Sequence, residues 1–327
     1  MPNIVAHCWY GDVAQTKSNT DNLRKIINKY HGVFLFGCQG PDPFFFYHPL
    51  PTGDKEKHKK VRKLGSILHH EHINDTFRIL LEMSKESQNE IDIAFVAGFL
   101  CHWALDSVAH PYIFYSTDSL TEDILAAHQI FETMIDRGIL DVNGLEKTDY
   151  QTYKLLKHPD EMYERVSNIY QRIFKEIDGL DVEKEDIISS YKTFYKVQKL
   201  FYDPNNRKFK VIGVLEKMVG MEGVGTSMII PAKYDDELDA MNFKHNEWIH
   251  PCDDTVKSTE SFEELGSKAA SLGIVVLENY EKYLAGEAGV EDILDVIGNR
   301  TFETGLQPGV EMKYFKRDLE KNEEGKN

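Results

Sequence analysis

Cysteine is scarce in this 327-residue sequence: there are four, Cys8, Cys38, Cys101 and Cys252, and no CxxC pair among them. That scatter argues against any disulfide in a reducing compartment and predicts four free thiols. Long apolar runs are missing as well. The longest, Ile91 to Leu105, is broken by Asp92 and His102, so no stretch of the sequence reads as a transmembrane segment. The opening residues MPNIVAHCWYGD have neither the basic nor the continuous apolar region of a secretory signal, and a cytoplasmic location is expected. Positive charge is outnumbered, with 38 Lys and Arg against 54 Asp and Glu, a net −16. With no basic stripe interleaved with aromatics, nucleic-acid binding is disfavoured, as is tight adhesion to anionic membranes. No His-Asp dipeptide is present, which excludes an HD-type phosphohydrolase. The single ExxH, Glu247 to His250, lies beside Pro251 and cannot supply the paired helices of a ferritin-like di-iron site.

What is present points to helices. Hydrophobic residues make up 41% and aromatics 11%, enough for a substantial core. Apolar positions recur at helical spacing over Thr20 to Tyr30, Lys63 to Ser84, Asn89 to Ala109 and Leu120 to Gly138. The pattern continues over Asp160 to Ile177, Lys184 to Phe201, Phe262 to Ala285 and Val290 to Ile297. Gly37 to Asp54, with four prolines, and Ala232 to Asp254 read as turns, and Val33 to Phe36 and Ser227 to Ile230 as short extended pieces. The expectation is an all-α multi-helix bundle. Residues 1–150 would form a helical core, 151–315 a helical part packed on it in one domain, and 316–327 a charged tail.

Ten of the thirteen histidines fall within the first 132 residues. The segment from Phe95 to Pro111 is apolar nearly all round and should be buried as a helix. Yet His102, Asp106 and His110 sit at i, i+4 and i+8, a polar stripe about 80° wide. A buried carboxylate needs a partner, and a metal held by imidazole and carboxylate provides one, as would a His–Asp hydrogen-bonded network. His128 and Glu132 repeat the one-turn spacing, and Asp136 extends that face as a supporting residue. In His69-His70-Glu71-His72, His69 is preferred as the inward-facing ligand, His70 is second and His72 is solvated. His7 and Asp42 come from irregular segments; Pro41 and Pro43 preorganise the backbone around Asp42.

In chain order these elements resemble the zinc-dependent phospholipase C family, which shares its fold with single-strand-specific zinc nucleases. The resemblance is carried by His7, Pro41-Asp42, His69, His102-x-x-x-Asp106, His110 and His128-x-x-x-Glu132, in the contexts GPDPFFFY and GFLCHWALDSVAHPYIFY. It covers residues 1–136, and the remainder looks similar to a bacterial subgroup of the family. It implies the bundle of that family with a helical C-terminal elaboration, and a site of two or three zinc ions. Asp42, His69, His102 and Asp106 would hold the first, and His110, His128 and Glu132 the second. His7 would hold the third, with Asp106 bridging it to the first and the N-terminal amine and carbonyl completing it after removal of Met1. Only three residues separate Asp106 from His110, fewer than in the secreted members. The implied activity is hydrolysis of a phospholipid or small phosphodiester by a metal-activated water, with Asp42 also orienting that water. The run Phe44-Phe45-Phe46-Tyr47 would line an apolar head-group pocket or lie half in the core. The alternatives are a non-catalytic metal-binding protein of the same fold and a zinc nuclease.

Overall fold

A helix that is apolar on every side has to be wrapped by other elements, and the chain is arranged around one such helix. The computed structural model describes residues 4–48, 54–119, 125–220, 223 and 225–324. Its first half holds α1 (Ile4–Lys17), α2 (Asn22–Lys29), α3 (His31–Gly37), α4 (Lys55–His70), α5 (Ile73–Ser87), α6 (Glu90–Thr117) and α7 (Leu125–Val142). The second half holds α8 (Thr152–Leu155), α9 (Asp160–Asp178), α10 (Lys184–Phe201) and α11 (Arg207–Val219). An antiparallel hairpin of β1 (Trp248–His250) and β2 (Asp253–Ser258) precedes α12 (Phe262–Ala285), α13 (Glu291–Ile297) and α14 (Lys316–Glu324). Short 3-10 helices span Asp42–Phe46 and Thr226–Met228. The fold is all-α, as expected, with the hairpin as its only sheet among the described residues.

The central element is α6. Phe95, Phe99 and Trp103 on it are wholly buried, each contributing roughly 1.5–3 kcal/mol of burial. Its neighbours α12 and α3 cover it most, with α1, α2 and α5 completing the wrap. α3 can approach closely because glycine meets backbone on both sides. A side chain at Gly37 would strike the carbonyl of Phe95, and one at Gly98 that of Phe34, at 2.2 and 2.1 Å. By length and composition α6 could cross a membrane, which corrects the reading that no segment is long enough. However, 89% of its most apolar stretch is buried inside the protein, so it serves as a core helix. Asn89 caps its start, accepting from the Ile91 amide at 2.9 Å. α12 starts with a capping box between Ser261 and Glu264.

Several local expectations are overturned. The stretch read as one helix over 63–84 is two, α4 and α5, broken at Glu71 and at His72, which takes a left-handed φ of +54°. Asn74 and Asn299 exchange amide-to-side-chain hydrogen bonds of 3.1 and 2.8 Å just past the break, a long-range tie that local periodicity cannot announce. Val33 to Phe36, read as extended, belongs to α3, and Ser227 to Ile230 contains a 3-10 turn. His7 lies on α1 rather than in an irregular segment. Three further helices went unread: α8, α11, and α14 within the charged tail. The hairpin is another such element; it begins where turns were expected. The start of the helix read from Leu120 lies outside the described residues, as does the proposed N-terminal ligand at Met1 or Pro2.

Candidate metal centre

Five separate pieces of chain deliver ionisable side chains to one buried place. α1 brings His7, the 3-10 turn brings Asp42, and the last turn of α4 brings His69. The central helix α6 brings His102, Asp106 and His110 on one face, and α7 brings His128 and Glu132. All but His128 are at most 4% exposed. They fall into three groups: His7, His102 and Asp106; Asp42, His69 and His102; and His110, His128 and Glu132. Within each group the potential ligand atoms lie within 4.8 Å of one another.

The groups are continuous. His102 Nε2 stands 3.0 Å from Asp106 Oδ2, and His7 Nε2 stands 3.2 Å from Asp106 Oδ1. His69 Nε2 is 3.2 Å from Asp42 Oδ1, and His128 Nε2 is 2.9 Å from Glu132 Oε1. His110 Nε2 reaches both sides, 3.7 Å from Asp106 and 3.8 Å from Glu132. Because α6 runs on unbroken to Thr117, the short interval from Asp106 still aims His110 at α7.

The donor set fits a metal. Four imidazoles have their Nδ1 occupied from outside the cluster. His69 bonds the Gly65 carbonyl at 2.8 Å, His102 that of Cys38 at 3.1 Å, and His110 that of Phe302 at 3.0 Å. His128 bonds the Thr117 hydroxyl at 3.2 Å. This is the arrangement that fixes the ring of a ligating histidine and leaves Nε2 for a metal. Facing inward, Nε2 of His7, His102 and His110, Oδ1 of Asp42 and both oxygens of Asp106 have no hydrogen-bond partner although buried. Orphaned buried polar atoms are expensive, and six in adjoining groups are what bound cations would satisfy.

The electrostatics agree. Burial alone would raise Asp106, but the imidazoles of His102, His110 and His7 prevail and hold its carboxyl well below the usual range. Burial lowers His110, yet the carboxylates of Asp106 and Glu132 overcome it and push it up to about 9. His102 and His128 are raised in the same way against their burial, by Asp106 and by Glu132 respectively. His7 goes the other way, lowered by burial and by His102. The cluster thus favours positive charge in its midst.

Surrounding residues hold these groups in place. Gly40 has a φ of +48°, and a side chain on it would sit 2.1 Å from the His102 ring. Its carbonyl accepts from the hydroxyls of Tyr170 and Tyr191 at 2.9 and 3.1 Å, which anchors the turn presenting Asp42. Asp136, expected as a supporting residue, does not approach an imidazole. It accepts from the amides of Val5 and Ala6 at 3.3 and 3.0 Å, fixing the start of α1 and so the position of His7. His70 turns away from the cluster, half-exposed, and pairs with Glu303 at 3.0 Å. His72 pairs loosely with Asp75 and Asp178, each at 3.6 Å. Of the aromatic run, Phe44, Phe46 and Tyr47 are buried in the core and only Phe45 stays partly open, its ring 5.4 Å from that of His69.

One contributor was invisible in the sequence. The segment 299–304 closes over the centre: the Phe302 amide donates to the His69 carbonyl at 3.1 Å, and its ring lies 5.1 Å from His69 and 5.6 Å from His102. These contacts are made by backbone and a lone phenylalanine, so no motif marks them.

In comparison with known proteins, the sequence pattern of one family, zinc dependent phospholipase C, matches residues 6–180. No curated protein and no solved structure gives a significant match.

Proposed function

Since the chain belongs to the zinc-dependent phospholipase C family, we propose that its centre hydrolyses a phosphodiester, with a phospholipid head group as the preferred substrate. The observation that supports this most is the set of six orphaned inward-facing atoms on His7, Asp42, His102, Asp106 and His110. Asp42, His69, His102 and Asp106 would hold one zinc, and His110, His128 and Glu132 a second. His7, with Asp106 shared, would hold a third. Zinc bound there supplies Lewis acidity, which acidifies a water and offsets phosphate charge.

The protein's own part is to position and to exclude. Asp42 would also take a hydrogen bond from the attacking water and so orient it. His128 is the most open of the eight, its side chain 17% exposed, and marks the side from which substrate enters. Phe114, with its ring 4.9 Å from that of His128, gives this entrance an apolar wall. Attack of water at phosphorus breaks the bond to the glycerol oxygen, which leaves with a proton as diacylglycerol while the head group departs as a phosphomonoester.

The test is to give zinc-loaded protein phosphatidylcholine and, separately, single-stranded DNA. Release of phosphocholine with diacylglycerol is expected, and Asp42→Asn should reduce it by about a hundredfold or more. Cleavage of DNA with the lipid untouched would transfer the reading to a zinc nuclease. A zinc-replete protein inert on both would leave a metal-binding protein of the same fold.

A further inference from the structure

Amphipathic helices normally turn their apolar side inward, and α11 does the reverse. Val211, Val214, Leu215 and Met218 recur at i, i+3, i+4 and i+7, one continuous stripe, and they are 59, 60, 56 and 77% exposed. The most buried residue described on the helix is an acid, Glu216, only 7% exposed, with Ile212 partly buried beside it. Its carboxylate accepts from the amides of Gly223, Gly225 and Thr226 and from the Thr226 hydroxyl at 2.7 Å. These bonds clamp the helix with its apolar stripe pointing outward. Leu200, 59% exposed, lies at the same end as Lys208, whose ammonium bonds its carbonyl at 2.7 Å.

The charge on this helix also departs from the rest of the chain. Arg207, Lys208, Lys210 and Lys217 lie on α11 with the inward Glu216 as its only acid, in a protein of net charge −16. At 100° per residue, Lys210 and Lys217 flank one edge of the stripe, where their stems can reach past it, and Lys208 lies along the other with its ammonium on the Leu200 carbonyl. An exposed apolar stripe edged with lysine suits the boundary between acyl chains and anionic head groups. A second copy of the chain suits it poorly, because two basic edges would confront one another. The turn after α11 packs on α7, the helix that carries His128 and Glu132: a side chain at Gly223 would stand 3.3 Å from Ala126 Cβ and 3.8 Å from Ile130 Cδ1.

We propose that α11 is a lipid-docking helix that lies on an anionic membrane surface and brings the metal centre to its substrate. The proposal rests on the phospholipid reading and deepens it. It makes a local exception to the acidic character that argues against membranes for the molecule as a whole.

The experiment is sedimentation of the zinc-loaded full chain with phosphatidylcholine vesicles, with and without phosphatidylglycerol. Hydrolysis of bis(p-nitrophenyl) phosphate is read alongside as a soluble reaction. The comparison protein carries Val211→Ser, Val214→Ser, Leu215→Gln and Met218→Gln, all at exposed positions. The wild type should bind the anionic vesicles better than the neutral ones, and the variant should bind them about tenfold less or weaker while hydrolysing the soluble ester at the wild-type rate. A wild type that stays in the supernatant with both vesicles overturns the docking helix, even if the ester is hydrolysed. So does a variant that sediments as well as the wild type, or a light-scattering dimer that these substitutions dissolve. Vesicle binding of the expected kind by a protein inert toward every phosphodiester leaves the docking helix standing and removes the hydrolase reading.

Discussion

Asp106 is a carboxylate 1% exposed in the middle of the most apolar helix of the protein, approached by three imidazoles. Removing its charge while keeping its shape separates metal binding from packing. Asp106→Asn is expected to lose zinc from the groups that share it, and His102→Ala to do the same while destabilising α6 by about 3–5 kcal/mol. Metal content by elemental mass spectrometry and urea unfolding check both, and wild-type zinc in either variant would defeat the assignment. Gly40→Ala makes a sharper case, since it removes no ligand. Its new methyl overlaps the His102 ring, so zinc loss without loss of a donor is expected, read by the same metal analysis. Asp136→Ala should destabilise the start of α1 by about 1–3 kcal/mol and lower zinc occupancy at His7 before it affects His128. At this scale the sequence was informative, because ligand chemistry demands particular residue types at particular spacings. His102, Asp106 and His110 follow the helical period directly, and all eight expected side chains converge. His69 lies within the cluster and His70 outside it, on the two sides of a helix end that the sequence did not mark. Phe302 could not be found, since a carbonyl and a phenyl ring leave no mark distinguishable from ordinary core.

Elements with one wet and one dry side were legible: α10 and α12 begin and end where periodicity places them. Those governed by distant contacts were not. The break between α4 and α5 depends on Asn299, and α11 shows an amphipathic pattern whose apolar side does not point inward. Glu216 makes the orientation of α11 testable. Burial would raise its carboxyl, but the bonds from Thr226 and the amides of Gly225 and Gly223 prevail and lower it below the ordinary range. A depressed folded value means stabilisation that is present above the ordinary glutamate range and is lost as pH falls below it through the lowered value. Amide exchange along α11 and the turn after it should therefore quicken under acid, ahead of α6. Glu216→Ala should produce the same loosening at neutral pH, by about 1–3 kcal/mol, and exchange there equal to wild type would show that the clamp contributes nothing.

For the whole molecule, a centre assembled from five pieces of chain makes metal affinity a folding term. A ligand that binds the folded state alone adds about 4 kcal/mol at a thousandfold excess over its dissociation constant. Calorimetry before and after chelation should show a lower unfolding temperature without zinc, and an unchanged one would mean that the centre does not brace the fold. The bond from His110 to Phe302 joins residues 192 apart in the chain. At about 5–20 residues per second, the carbonyl that sets the His110 ring leaves the ribosome roughly 10–40 s after the histidine itself. Until then the His110 ring lacks that partner, so the order of synthesis lays the clasp over the centre after every side chain it covers has been made.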